Sequence, residues 1–271
     1  MKNGRLLSSG KARNISNLAQ EILEKRKRKS ILLMAHQIVG YPDFETNYEM
    51  IRLFHECGVD LVELQLPFSE PIADGPLFLK ANQKALERGT TIEQCLDFAQ
   101  KVTRDFPLFC IFMTYYNILL QFGVKQFVET AGSIGIRGLI VPDAFPEESD
   151  EYFAACKQEH VDPILVVTPY TPDTRMEYLA NKTEGLLYCA ARKGVTGAPT
   201  SFGDATTDFL LRCRQYSSTP IGVGFGIQHP DDVRYLVNKS DIAIVGSTLL
   251  NVLEAEGTTG VREFLLSLRP E

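Results

Sequence analysis

The sequence predicts a (β/α)8 TIM barrel of α/β class, with an extra helix at the N-terminal end. Three observations carry this expectation. Eight short apolar runs alternate with amphipathic segments, the pattern of parallel β/α units. The chain has 271 residues, about the size of such a barrel. The residues hardest to explain as core or turn follow directly after apolar runs, where barrels carry their active sites. A doubly wound open sheet is the alternative, but eight units without a break in composition favour closure.

Residues 1–13 are polar and read as a flexible N-terminal segment; 14–271 read as a single barrel domain. Residues 14–29 have helical spacing, with Ile15, Leu18, Ile22 and Leu23 on one face. The basic run at 25–29 is explained by the helix C-terminus, whose dipole favours cations, although an acidic partner is the alternative. The strand runs lie near 31–35, 59–66, 108–113, 137–142, 163–167, 185–190, 220–224 and 241–245. Amphipathic segments fall at 44–57, 90–104, 123–132, 148–158, 173–181, 203–216, 230–238 and 260–268. No linker, low-complexity tract or internal repeat interrupts them.

Composition narrows the functional classes. A net charge of −6 argues against nucleic acid as the main partner. No apolar run approaches the roughly 18 residues of a membrane span. No signal-peptide pattern opens the chain, and six scattered cysteines lack a CxxC pair, so a reduced, cytoplasmic protein is expected. The four histidines have no metal-ligand spacing, so no metal site is expected.

The most informative stretch is ELQLPFSEPIADGP, beginning at Glu63. Glu63 stands inside an apolar strand, where a carboxylate is costly unless paired or used. Asp74 follows in a loop rich in Pro and Gly. An ion pair would explain the first alone, and turn chemistry the second. Together at a strand end they suit an acid and a base whose surroundings push their pKa values apart.

Glycine loops supply the second signal. Run six leads into Lys193-Gly194-Val195-Thr196-Gly197, suited to close ligand approach or to a lid. Run seven leads into Gly224-Phe225-Gly226-Ile227, and run eight into Gly246-Ser247-Thr248. Barrels often bind phosphate on the loops after strands seven and eight, so Phe225, Gly226, Gly246 and Ser247 are candidate main-chain ligands for a dianion. Asp143 after run four is either a third site carboxylate or a helix-start residue. Tyr115 after run three is either a pocket wall or core. A Schiff-base aldolase would need a strand-end lysine, and runs two to eight have none inside a strand.

These residues resemble the tryptophan synthase alpha subunit family. Its strand-two signature, close to LELGxPFSDPxADGP, reads VELQLPFSEPIADGP here. Its strand-six aromatic with R-x-GVTG reads Tyr188 followed by ARKGVTG. GFGI and VGS stand unchanged after runs seven and eight, and Val141-Pro142-Asp143 and Tyr115-Tyr116-Asn117 also fit. The landmarks keep family order from about residue 30 to 255.

The resemblance implies cleavage of indole-3-glycerol phosphate to indole and glyceraldehyde 3-phosphate, with Glu63 and Asp74 catalytic. It implies substrate contacts at Tyr188, Tyr115, Asp143, Ile244 and the lid residue Thr196, and phosphate contacts at Gly197, Phe225, Gly226, Gly246 and Ser247. It implies no cofactor in this chain and a beta subunit partner carrying pyridoxal phosphate, in an alpha-beta-beta-alpha complex, with Pro67 and Glu70 at the interface. A stand-alone lyase and a non-catalytic activator of the beta subunit are the alternatives. The chain departs from the pattern at Gln65, Glu70, His36, Ile38, Ala191 and the 77–80 segment, positions expected near the partner face and the indole side of the pocket.

Overall fold

A computed structural model describes residues 16–191, 203–224 and 226–269. Among these, the strands are β1 (Leu32–Ile38), β2 (Leu61–Gln65), β3 (Phe109–Met113), β4 (Gly138–Ile140), β5 (Asp162–Ile164), β6 (Val166–Val167), β7 (Leu187–Ala190), β8 (Ile221–Gly224) and β9 (Ile242–Val245). They form one parallel sheet in the order β5-β4-β3-β2-β1-β9-β8-β7-β6. β5 and β6 are a single strand interrupted at Leu165. The Leu165 N–H leaves the ladder for the Thr183 hydroxyl (3.0 Å), while its carbonyl accepts the Tyr188 N–H. β4 pairs with the first half and β7 with the second, so eight staves close the barrel.

The helices are α1 (Asn17–Arg26), α2 (Phe44–Glu56), α3 (Pro76–Glu87), α4 (Ile92–Asp105), α5 (Tyr116–Phe122), α6 (Val124–Ser133), α7 (Asp150–Glu159), α8 (Asp173–Lys182), α9 (Asp204–Tyr216), α10 (Pro230–Leu236) and α11 (Ser247–Ser267). All eight strand runs fall where the sequence puts them. Two helices do not come from the amphipathic segments: α3 and the seven-residue α5. α11 begins well before the expected 260 and is two helices joined at Gly257, whose φ of 66° is open to glycine at little cost.

Strand alternation sorts the core into two layers. Leu32, Met34, Leu61, Ile111, Ile140, Ile242 and Ile244 fill the barrel interior. Leu33, Ala35, Val62, Leu64, Phe112, Val223 and Val245 face the helices. α1 closes the N-terminal end of the barrel, with Leu18 and Ile22 joining the interior cluster. Ser16 caps α1 by accepting the Ala19 N–H, also accepts the Gly185 N–H, and donates to Asp162. Lys25 and Lys29 reach Asp60 (3.8 and 2.7 Å), and Arg26 reaches Asp241 (3.6 Å). Asp60 and Asp241 stand just before β2 and β9. Much of the basic run therefore fastens α1 to the barrel floor. The expected flexible segment 1–13 lies outside the described residues.

Candidate active site

Glu63 sits on β2 level with His36 on β1 and Ile111 on β3. That register turns its side chain into the barrel, toward the C-terminal mouth. There it lines a cleft of about 690 Å3, counted out to its open mouth, with His36, Gln65, Asp74, Phe78, Tyr188, Ile244 and Ser247. Glu63 is 4% exposed, and its Oε2 has no hydrogen-bond partner. Burial, and secondly the charge of Asp74, push its carboxyl up to about 8.

Asp74 reaches the same cleft from the loop after β2. The loop is closed by the Asp74 N–H donating to the Pro71 carbonyl at 3.0 Å, so the turn chemistry is present as well. The carboxylate accepts Gln65 Nε2 at 2.5 Å and Asn82 Nδ2 at 3.4 Å, and the Tyr115 hydroxyl also bonds it. Burial pushes Asp74 up to about 6, and these three donors hold it back. The two carboxyls share a cavity but not an environment, which keeps their proton affinities apart.

Tyr115 is almost fully buried. Its hydroxyl accepts the Ala73 N–H at 3.1 Å and its ring stacks on Phe68, so it buttresses the Asp74 loop from behind. The Asp143 carboxylate accepts the Tyr116 N–H at 2.9 Å, at the head of α5; its neighbour Pro142 lines the cleft. Tyr188 on β7 lines the cleft, and burial, then the charges of Glu63 and Asp74, raise its phenol well above the ordinary value. A Cβ at Gly224 on the neighbouring β8 would overlap the Tyr188 ring and hydroxyl, so the bare position makes room for that ring.

The glycine loops after β8 and β9 meet between Tyr188 on β7 and His36 on β1. Gly226, Ile227, Gly246 and Ser247 line the cleft beside Ile244. α11 starts at Ser247, and the N–H groups of a helix's first turn have no partner within the helix. Thr248 Oγ1 donates to the Ile227 carbonyl at 2.7 Å and locks the two loops together. Thr196, Gly197 and Phe225, with the expected lid at 192–200, lie outside the described residues. Pro67 is buried and Glu70 exposed on the loop after β2.

Sequence reasoning passed over a hydrogen-bond chain that links β1 and β2 to Asp74. His36 Nε2 lies 2.7 Å from Gln65 Oε1, and its ring centroid 4.5 Å from that of Phe78. Burial pushes the imidazole down to about 4. The signal was available: His36 and Gln65, like Glu63, are polar residues in an apolar barrel interior, and the cost that marks one marks all three. No cluster of three or more His, Cys, Asp or Glu that could hold a metal occurs among the described residues, and no described helix is long and apolar enough to cross a membrane.

The family model for "Tryptophan synthase alpha chain" matches residues 22–266. The tryptophan synthase alpha chain of Desulforapulum autotrophicum is 47% identical over 247 residues, covering 91% of this chain and 98% of that one. That of Syntrophotalea carbinolica is 46% identical, covering 93% of this chain and all of the relative. A tryptophan synthase structure from Mycobacterium tuberculosis superposes with a TM-score of 0.87 at 28% identity, covering 94% of this chain and 97% of that one. With a family model spanning most of its length and relatives close to half identical along nearly all of it, the chain belongs to the tryptophan synthase alpha chain family.

Proposed function

We propose that the chain is a carbon–carbon lyase that cleaves indole-3-glycerol phosphate to indole and glyceraldehyde 3-phosphate in L-tryptophan formation. The observation that carries this reading is the unlike pair in one cleft: a buried carboxyl with an unpartnered oxygen beside a carboxylate held by three donors. Breaking the bond between indole C3 and the glycerol carbon requires the ring to accept the bonding electrons. Protonation at C3 creates that acceptor, an iminium-like indolenine. Glu63 donates this proton. As its carboxylate then takes the proton of the adjacent glycerol hydroxyl, the O–H electrons form the aldehyde C=O and the C–C pair restores the aromatic ring. Asp74 accepts the indole N–H and stabilises the positive charge that develops there.

The pH dependence follows from these roles. Asp74 must be ionised and Glu63 protonated. kcat/KM is therefore expected to rise through about pH 6 and fall through about pH 8, the two limbs belonging to the interacting pair. A flat profile from pH 5 to 9 in initial-rate assays would refute the assignment.

The main-chain groups of Gly226 in the loop after β8, and of Gly246 and Ser247 at the head of α11, suit a phosphate without a cation, and Phe225, Gly197 and Thr196 complete the shell and lid in this reading. Anchoring the phosphate there lets remote binding energy position C3 against Glu63. Tyr188 and Ile244 flank the ring, and Tyr115 and Asp143 act through the loops they hold. Gly224→Ala would drive Tyr188 into the cleft. KM is expected to rise about tenfold or more, as for a misplaced substrate-positioning group, with circular dichroism unchanged.

The partner is a beta subunit carrying pyridoxal phosphate, in an alpha-beta-beta-alpha complex; this chain's own step uses no cofactor. Exposed Ile72, Phe145 and Tyr170 stand on loops after β2, β4 and β6, at the mouth end, and support docking there alongside exposed Glu70, whereas Pro67 on the same loop is buried and offers a partner little surface. The deciding experiment measures indole released from indole-3-glycerol phosphate by the purified chain, with and without a beta subunit. Slow release alone and faster release in the complex are expected. No indole in either arm overturns the proposal.

A further inference from the structure

We propose that His36 and Gln65 act as a positioning relay for the lyase reaction, in which neutral His36 fixes the side-chain amide of Gln65 so that its NH2 group is presented to Asp74. The inference rests on the function proposed above for Asp74, but its geometry stands in the protein without substrate. Gln65 Nε2 is 2.5 Å from Asp74 Oδ2 and Gln65 Oε1 is 2.7 Å from His36 Nε2. An ionised carboxylate only accepts, so the amide must turn its NH2 toward Asp74. Its oxygen then faces the histidine, which must donate from Nε2. The chain of donation runs one way, from imidazole to amide to carboxylate, and His36 is confined to the Nε2–H tautomer.

The His36–Gln65 bond is buried and the Gln65–Asp74 bond part-buried, so the imidazole has no ready substitute in water. His36 is 6% exposed and Gln65 1%. Phe78 from α3 packs on the imidazole face, and Gly246 admits the ring's approach, its own Cβ position being 3.1 Å from Phe78 Cζ and 3.5 Å from His36 Cβ. The relay thus spans β1, β2 and the loop before α3, and holds the Asp74 carboxylate in the cleft. The titratable groups facing Asp74 are Glu63 from β2, Tyr115 from the loop after β3, Tyr188 from β7 and, through Gln65, His36 from β1. Of these, Tyr115 donates directly to the carboxylate. Gln65 and Asn82 supply the other hydrogen bonds.

His36→Phe keeps a ring against Phe78 but leaves the Gln65 oxygen buried and unpaired, so the amide is free to turn away. Gln65→Leu removes the donor to Asp74. Each is expected to cut kcat/KM about tenfold or more, the scale of a lost hydrogen bond to a charged group. Each should move the acid limb of the pH profile upward, because Asp74 loses a group that favours its ionised form. A structural role in packing would lower activity without moving that limb. In the Gln65→Leu background, His36→Phe should add almost nothing, since the amide it oriented is gone.

The experiment is the pH–rate profile of indole release by the wild type, both single variants and the double variant, with circular dichroism to confirm folding. An unmoved acid limb, or effects of the two substitutions that simply multiply, overturns the relay. The 15N chemical shifts of His36 in the ligand-free protein read the tautomer independently of activity. A neutral Nε2–H ring at pH 7 is expected, and an Nδ1–H or doubly protonated ring refutes the proposal. Should the wild type release no indole while His36 shows the Nε2–H form, the function of Asp74 fails and the relay geometry survives, so the two failures are distinguishable.

Discussion

Glu63→Gln is expected to lower indole release by about three orders of magnitude, the middle of the range for a lost general acid–base group, while making the folded protein more stable toward high pH. The amide keeps the size and the polarity of the side chain but has no proton to give at C3 and no carboxylate to take one from the glycerol hydroxyl. The stability effect follows from the same burial. Glu63 is raised from an ordinary 4.5 to about 8 in the folded chain. Below about pH 4.5 the carboxyl is protonated in both states and carries no penalty. Between the two values the unfolded chain releases a proton that the folded chain keeps, so stability falls as pH rises, and above about 8 the loss is complete. Glutamine has no such loss. The gain in melting temperature over the wild type should therefore grow from pH 5 to pH 8. Unimpaired indole formation would remove Glu63 from the chemistry. A pH-independent stability difference would show that the carboxyl does not keep its proton in the folded protein.

Asp74→Asn is expected to reduce kcat by about a hundredfold to a thousandfold, the scale of losing one charge-stabilising group, with KM changed much less. The wild-type carboxylate is surrounded by donors: Gln65 Nε2, Asn82 Nδ2 and the Tyr115 hydroxyl. An asparagine offers one oxygen, and its NH2 group must face another donor. The loss of charge acts a second time. Asp74 is one of the two causes that raise Glu63, so the alkaline limb of the residual activity should shift to lower pH in this variant. Full activity, or an alkaline limb that stays in place, would contradict the electrostatic link between the two carboxyls.

The eight strand runs were legible because parallel strands covered on both faces read as continuous apolar segments. The helices that escaped were those whose apolar stripe is short or interrupted by a polar residue. α5 is too short for a period, and α3 buries Asn82 beside Phe78, Ala81 and Ala85 after a Gly–Pro start with no side-chain cap. Glu63 and Asp74 were legible from the cost of a carboxylate in an apolar strand and its nearness to a Pro- and Gly-rich loop. Their mutual geometry was not. Tyr115 and Asp143 look alike as polar residues after strands, yet in space Tyr115 bonds Asp74, and Asp143 holds the start of α5. The His36–Gln65 contact joins residues 29 apart in sequence and exists only because β1 and β2 pair in one register, His36 beside Glu63 and Ile38 beside Gln65. A single-residue slip would turn all of these side chains toward the helices.

Leu18 and Ile22, with the strand side chains that fill the interior, make the barrel a cul-de-sac. With the floor sealed, the hydrogen on the position 63 carboxyl trades with bulk water only through the mouth, the same door the substrate uses. In the proposed reaction a seated substrate corks that door. The hydrogen that this reaction delivers to the ring is loaded beforehand, and the one recovered from the glycerol hydroxyl stays inside until the products leave. The packed interior, with helix α1 beneath it and far from the proposed chemistry, thereby sets up a closed proton inventory for each turnover.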